Sequence, residues 1–269
     1  MERDDESLLA ATAKANQILT QIEEMVAKNC TAVDIAYTPA DILRLKHEGK
    51  KAIMLGIENG YAIGKDIYNV EKFRQRGVVY MTLCHNGDND VCDSAKGQGE
   101  HGGVSAFGAD VIKEMNRVGM IVDLSHAAES SFYDALDISA TPIVCSHSSS
   151  RALCDHPRNL TDEQMRRLAA KGGVMQVTFY NGFLCKDGEA SILDAVNHLN
   201  HAVNVMGIEH VGIGTDFDGD GGIRGCASAS ELINFTRRLL LERYTEAQIE
   251  MIWGGNFLRV MQQIQAAAH

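Results

Sequence analysis

The chain lacks several features that would assign it to a specialised class of protein. It contains seven cysteines among 269 residues, but no Cys-x-x-Cys pair, and the number of cysteines is odd. This pattern fits neither a disulfide framework nor a zinc ribbon, and a reducing, cytosolic compartment is expected instead. No apolar run is long enough to span a membrane. The acidic, amphipathic N-terminus also differs from a signal peptide.

Positive charge is scarce in the sequence. There are 25 lysines and arginines against 36 aspartates and glutamates, which gives a net charge of −11, and no basic stripe is present. A nucleic-acid partner is therefore not expected. The sequence also lacks a Walker loop, a Gly-x-Ser-x-Gly elbow and a Gly-x-Gly-x-x-Gly turn between a strand and a helix. Nothing in it therefore favours phosphate or dinucleotide chemistry.

The apolar residues are arranged as an α/β protein. Hydrophobic residues make up 45% of the chain and charged residues 23%, the composition of an ordinary globular protein. Short strand-like runs alternate with amphipathic helical stretches, which predicts a parallel sheet. The runs at 52–57 and 120–124 are apolar almost throughout, as strands covered on both faces are. One domain, residues 1–269, with helices at its C-terminal end is the simplest organisation at this length.

The number of strands falls short of a closed barrel. Six strands are predicted from Ala52 onward, and a further segment at 32–37 is either a seventh strand or an edge segment. A TIM-type (β/α)8 barrel needs eight. The six strands end near Ile57, Leu83, Leu124, Cys145, Phe179 and Gly214.

Four of the strand-like runs end in a residue of a type that binds metals. These residues are Glu58, His126, His147 and Asp216. Because parallel α/β barrels place their chemistry at the C-terminal ends of the strands, the four side chains are predicted to converge on one cation. Each residue alone is as well explained by a turn or a hydrogen-bonded core position. Their repeated placement favours a metal site, and imidazole with carboxylate suits zinc.

Residues near these strand ends are candidates for supporting roles. Asp123, Ser125, Ser146 and Ser148 flank the two histidines and are predicted to orient their rings. The loop that starts at Asp216 also has part of the acidic spacing of a calcium loop. Ala227, however, stands where such a loop requires a glutamate.

Two further side chains are candidates for contact with a substrate. His85 follows a strand and could be a metal ligand or a donor to developing negative charge, although a solvated loop histidine has the same sequence pattern. Arg158, in the segment DHPRN, could hold a carboxylate through two parallel hydrogen bonds. A lone arginine on the surface would look no different.

Nine short motifs occur in one order from about Thr38 to the C-terminus. They are GIENG at Glu58, YMTLCHN at His85, GVSAFG at Phe107, IVDLSH at His126, IVCSHS at His147, PRN at Arg158, VTFYN at Tyr180, GIGTDFDG at Asp216 and GGNFLRV at Asn256. Together they resemble the membrane (renal) dipeptidase family of zinc peptidases. The resemblance implies a TIM-type barrel of the metal-dependent hydrolase type that hydrolyses dipeptides with two zinc ions.

The resemblance also implies a role for each metal-type residue. Glu58 would bridge both metals, and His126 and His147 would complete the coordination of the second metal. Asp216 would serve the first metal and relay protons.

The substrate residues follow from the same resemblance. His85 would stabilise the tetrahedral intermediate, Arg158 would grip the terminal carboxylate of the dipeptide, and Tyr180 would belong to the substrate-binding set. Phe183 departs from the tyrosine expected near the substrate in some members.

The beginning of the chain departs more seriously from the family. Family members begin with a strand carrying His-x-Asp, which supplies two ligands to the first metal, and no such motif precedes Glu58 here. The chain is therefore expected to be a barrel without its first two strands. It would be either a fragment of a longer protein or a variant that retains one zinc. The fragment is favoured, because the loss of central strands exposes backbone edges.

Two alternatives to the dipeptidase remain open. One is another binuclear metal hydrolase of the same fold, such as a lactonase or a deaminase. The other is a non-catalytic protein that keeps one metal for structure. A homodimer is also compatible with the sequence.

A chain that lacks two strands should be poorly stable alone or should associate, and it should hydrolyse dipeptides weakly or not at all. Thermal unfolding followed with the oligomeric state, beside a dipeptide assay, checks this. A sharp, reversible transition of a monomer would contradict it, as would turnover at the rate of an intact enzyme.

Overall fold

The structure is a computed structural model and describes residues 2–269. Its helices and strands in chain order are α1 (Asp5–Lys28), β1 (Val33–Ile35), α2 (Pro39–His47), β2 (Lys51–Ile53), β3 (Leu55–Glu58), α3 (Tyr68–Gln75), β4 (Val78–Thr82), α4 (Ala106–Val118), β5 (Ile121–Asp123), α5 (Glu129–Ile138), β6 (Val144–Ser148), α6 (Asp162–Ala170), β7 (Val174–Val177), α7 (Asn181–Leu184), α8 (Ile192–Met206), β8 (Val211–Ile213), α9 (Leu232–Leu241), α10 (Glu246–Glu250) and α11 (Asn256–Ala266). None of the described helices is long and apolar enough to cross a membrane.

The chain forms two compact units. The first comprises the residues up to Pro142 together with Met261–His269, and the second is Ile143–Val260. Each unit is built from parallel strands that alternate with helices, so the predicted parallel α/β class is confirmed. The expectation of one domain over 1–269 stays a prediction.

In the first unit, the register of three parallel strands brings their C-terminal ends to one level. Strand β4 lies between β3 and β5, with Glu58 opposite Thr82 and Thr82 opposite Asp123. Val78, Met81 and Ile121 of β4 and β5 are fully buried, and in β3 the side chains of Leu55 and Ile57 are buried. The residues that leave these strand ends therefore start from neighbouring positions.

The second unit repeats this arrangement with β6, β7 and β8. Strand β7 is the central one, with Ser148 opposite Val177 and Val177 opposite Ile213. His147 is the last residue but one of β6, and Asp216 follows β8 by three residues. The six strands predicted from the sequence are thus all present.

The start of the sheet differs from the prediction of one strand over 52–57. Lys51–Ile53 pairs with Val33–Ile35 in a separate two-stranded parallel sheet, whereas Leu55–Glu58 pairs with β4. Because the two halves pair with different partners, the strand is interrupted at Met54. The segment at 32–37 therefore contains an edge strand.

A wide helical turn over Met251–Gly255 separates α10 from α11. Gly254 has a non-helical backbone there, and paired glycines lower the cost of such a break. The buried side chain of Asn256 donates hydrogen bonds to the carbonyls of Ile208 and Val211, at 2.7 and 2.8 Å. The break is thereby fixed against the start of β8.

Two carboxylates organise the long glycine-rich loop that follows β4. Asp88 accepts the backbone N–H groups of Ser94, Gln98 and Gly99 at 2.6–2.9 Å. The fully buried Asp93 accepts that of Gly103 at 2.8 Å. Burial raises the pKa of Asp88, but the N–H donors outweigh it and hold the pKa below its ordinary value.

The loop should depend on the charge of Asp88. Asp88→Asn is expected to lower the free energy of unfolding near pH 7 by about 1–3 kcal/mol, because an amide cannot accept all of these hydrogen bonds. The folded pKa lies below the unfolded value of about 3.9. The contribution of the carboxylate is therefore complete above that pH and is lost as the pH falls through the folded value.

Urea unfolding across the acid range measures this effect. Asp110→Asn is the matched control, because Asp110 is exposed on α4 and pairs only within its helix with Lys113. Equal destabilisation by the two substitutions, or a difference that does not shrink as the pH falls below about 3.9, would contradict the role of Asp88.

Candidate metal centre

A carboxylate and an imidazole meet at the ends of β3 and β5. Glu58 is the last residue of β3, and its Oε1 lies 3.1 Å from Nε2 of His126. The His126 side chain is buried, whereas that of Glu58 is 43% exposed. The sequence predicted that these two residues share a site, and the first unit brings them together.

The other ring nitrogen of His126 faces the side chain of Asn86. Nδ1 lies 3.2 Å from Oδ1 of Asn86. Because an amide oxygen can only accept, Nδ1 carries the proton, and in the neutral ring the lone pair of Nε2 points at Glu58. Two acceptors this close repel each other unless a cation or a second proton lies between them. The arrangement therefore fits a bound metal ion.

Asn86 was missed by the sequence analysis. It follows His85 directly, after the end of β4, and is 40 residues away from His126 along the chain. Metal-binding histidines ordinarily donate their second ring nitrogen to such a partner. Only the position of Asn86 beside a strand end could have suggested it.

His85 lies against His126. Their ring centroids are 4.4 Å apart, at an angle of 41°. The hydroxyl of Ser94 donates a hydrogen bond to the carbonyl of His85 and is 3.3 Å from that of His126. The loop after β4 therefore holds both histidine backbones, and His85, His126 and Glu58 form one cluster in the first unit.

Left-handed backbone turns follow three of the strands. Asn59, His126 and Asp216 have φ values of 95°, 71° and 59°. Positive φ is uncommon outside glycine and concentrates where side chains must leave a strand in a fixed direction. Each of these residues is a predicted ligand or follows one directly.

In the first unit, the flanking residues Asp123 and Ser125 form hydrogen bonds at the ends of β4 and β5. Asp123, which is fully buried, accepts the hydroxyl of Thr82 at 2.6 Å and the N–H of Ser125 at 3.0 Å. These bonds tie the ends of β4 and β5 together and shape the turn that leads to His126.

His147 is held by two neighbours in the second unit. Ser146 Oγ lies 2.8 Å from its Nδ1, which matches the predicted ring-orienting contact. The guanidinium of Arg158 donates through Nη2 to the carbonyl of His147 at 3.3 Å. The side chains of His147 and Arg158 are both almost completely buried.

An aromatic cluster surrounds Arg158. Its guanidinium carbon lies 5.2 Å from the ring centroid of Phe183, a cation–π contact. The rings of His156 and Tyr180 each lie 4.6 Å from that of Phe183. The two predicted substrate residues, Arg158 and Tyr180, therefore share Phe183 as a neighbour, and Phe183 itself is buried.

Asp216 lies at the head of a turn that depends on glycine. Its carbonyl accepts the N–H groups of Gly219 and Gly221, at 3.0 and 2.7 Å. A Cβ on Gly219 would lie 2.5 Å from Oδ1 of Asp216, and one on Gly221 would lie 2.2 Å from the carbonyl of Thr215. Gly219 therefore leaves room for the carboxylate of Asp216, and Gly221 leaves room for the backbone of the turn.

Comparison with known proteins identifies the family. The profile of the membrane dipeptidase family, peptidase family M19, matches residues 3–269. The chain belongs to this family. An uncharacterised dipeptidase of Schizosaccharomyces pombe is 40% identical over 235 residues, which cover 84% of this chain and 56% of the relative. Dipeptidase tcpJ of Claviceps purpurea is 36% identical over 239 residues, 88% of this chain and 56% of its own length.

The chain thus spans a little over half the length of these M19 relatives. A solved structure, that of the probable dipeptidase PvdM from Pseudomonas aeruginosa, superimposes with a TM-score of 0.90 at 29% identity, and covers 93% of this chain and 78% of that one. The likeness confirms the predicted fold class, α/β of the TIM-type metal-dependent hydrolases. Membership of a metallopeptidase family implies a metal cofactor.

The contact between Asn86 and His126 generates a prediction about metal affinity. Asn86→Ala should weaken zinc binding about 10–100-fold, because the ring of His126 loses the partner that fixes its orientation. Asn86→Asp keeps an acceptor and should bind zinc at least as tightly as the unaltered chain. Calorimetric titration of the metal-free proteins with zinc measures both. Equal affinity of the alanine variant and the unaltered chain would refute the orienting role.

Proposed function

We propose that this protein is a zinc-dependent dipeptidase that adds water across the peptide bond of a dipeptide and releases two amino acids. One observation carries the proposal: Nε2 of His126 faces Glu58 at 3.1 Å while Asn86 occupies Nδ1. In a family of dipeptidases, such a pair of facing acceptors at two strand ends is the expected beginning of a metal site.

The proposed metal ligands are Glu58, His126, His147 and Asp216. One carboxylate and two imidazoles would form a donor set that suits zinc, and Asp216 would add a second carboxylate. The full family site would hold two ions, of which this chain would retain one. When bound, zinc would lower the pKa of a water molecule and polarise the peptide carbonyl.

Polar side chains of the chain would carry out the remaining steps. His85, whose ring lies against that of His126, would donate a hydrogen bond to the oxygen that becomes negative in the tetrahedral intermediate. Asp216 would accept a proton from the attacking water and pass it to the leaving amine. Both residues lie at strand ends, where the backbone limits their movement.

Arg158 would select the dipeptide by its terminal carboxylate. The buried guanidinium is held between the carbonyl of His147 and the ring of Phe183, so it is already oriented before substrate arrives. Tyr180, whose ring also lies against that of Phe183, would complete the wall of this subsite. Arg158 would thus bind the terminal carboxylate close to the proposed ligand His147. This short spacing would suit a small substrate such as a dipeptide.

Two further expectations are part of the proposal. The protein would work in the cytoplasm, which is supported by the odd number of cysteines and the lack of a Cys-x-x-Cys pair, and it could form a homodimer. Cell fractionation tests the compartment, and light scattering of the purified chain tests the dimer.

The role of Arg158 separates a dipeptidase from a lactonase or a deaminase. Arg158→Gln should lower kcat/KM for a dipeptide at least about tenfold, equivalent to 1.4 kcal/mol, because the carboxylate loses a charged partner. The matched dipeptide amide and a neutral lactone should be hardly affected. Steady-state kinetics with all three compounds measure this.

Arg166→Gln is the control for the loss of a positive charge, because Arg166 is exposed on α6 and pairs only with Asp162 and Glu163 of the same helix. An equal loss of activity on dipeptide and amide would contradict the carboxylate subsite. Bound zinc without any turnover would favour a non-catalytic metal-binding protein.

A further inference from the structure

A buried histidine outside the proposed catalytic set links two segments of the second unit. His198 lies on α8 and is 1% exposed. Its Nδ1 accepts the backbone N–H of Ser150 at 3.0 Å, and its Nε2 lies 3.0 Å from the carbonyl of Leu184. Both partners are backbone groups, and both belong to segments that contact Arg158.

These two partners fix the protonation state of His198. An amide N–H can only donate and a carbonyl can only accept, so Nδ1 is the lone-pair nitrogen and Nε2 carries the proton. Burial lowers the pKa of His198, opposed in part by the bond to Leu184, which agrees with a neutral ring. The imidazole therefore acts as a rigid two-ended connector with one donor and one acceptor.

The first segment is the loop that carries Arg158. It begins after β6 and closes on itself, because Leu160 donates to the carbonyl of Ser149 and Arg151 donates to the carbonyl of Leu160, both at 2.8 Å. Ser150 lies at the point where this loop closes. A shift of Ser150 would therefore move the whole loop relative to β6.

The second segment is the short helix α7, which carries Phe183 beneath the guanidinium of Arg158. Its last two carbonyls are both bound by side chains. Asn159 donates to that of Phe183 at 2.9 Å, and His198 binds that of Leu184. Four residues cannot form a stable helix alone, so α7 depends on these contacts for its position.

We propose that His198 is a positioning residue for the carboxylate subsite, because it holds the loop of Arg158 and the helix of Phe183 at a fixed separation. The inference rests on the proposed function for its kinetic consequence. The placement of the guanidinium itself can be observed without any turnover. Loss of the connector should therefore weaken substrate binding without impairing the chemical step.

The test compares three variants. His198→Gln can still donate to Leu184 but loses the acceptor for Ser150, and His198→Asn keeps an acceptor near Nδ1 but loses the donor. His201→Asn is the control, because His201 lies on the same helix and binds only the side chain of Asp162 on α6, at 2.7 Å. Cooperative thermal unfolding identifies which variants are folded.

In whichever His198 variant folds, steady-state kinetics should show that KM for a dipeptide rises about tenfold, the scale of one lost hydrogen bond. In the same variant, kcat should change less than about twofold. His201→Asn should leave both parameters unchanged. Parallel changes in kcat for the His198 and His201 variants would overturn the proposal, as would an unchanged KM in both His198 variants.

Nuclear magnetic resonance of the Arg158 Nε–H group gives the second readout. A slowly exchanging signal should be present in the unaltered chain and in His201→Asn, and should be lost in the His198 variants. Retention of the signal in those variants would overturn the inference. If the unaltered chain hydrolyses no dipeptide, the proposed function fails, and this spectrum still decides the positioning role.

Discussion

The contact between Glu58 and His126 is the constraint on which the site depends. A carboxylate oxygen and an imidazole lone pair face each other at 3.1 Å, and Asn86 prevents the ring from relieving the repulsion by presenting its N–H. A cation or a second proton between the two atoms would relieve this repulsion. In the proposed metal site, the hydrogen bonds around the ligands would therefore contribute to the affinity for metal as well as the ligands themselves.

The scaffold provides this geometry through the register of parallel strands. Glu58, Thr82 and Asp123 lie opposite one another across β3, β4 and β5, so chain segments far apart in sequence leave the sheet at one level. The Thr82–Asp123 bond and the carboxylates of the long loop then fix the directions in which His85 and His126 project. If His85 acts as proposed, its side chain would need little reorganisation when substrate binds.

Much of this architecture can be predicted from the sequence, because strands and their polar end residues leave local patterns. The six strands, the pairing of Glu58 with His126 and the contact of Ser146 with His147 followed from such patterns. Asn86 and His198 did not, because their roles depend on partners 40 and 48 residues away. The interruptions at Met54 and Gly254 were also missed. The interruption at Met54 arises because the two halves of the run pair with different strands. The one at Gly254 is fixed by the hydrogen bonds of Asn256 at the start of β8. Neither cause leaves a periodic pattern in the sequence.

The contact of Arg158 with Phe183 has a consequence for the proposed carboxylate subsite. One face of the guanidinium has exchanged its hydration shell for an aromatic surface during folding. In the proposed carboxylate subsite, an incoming anion would therefore displace fewer water molecules and meet a cation whose rotamer is already selected, so less entropy would be lost on binding. Lysine at this position would keep the charge but would lose the flat stacking surface, and with it this advantage.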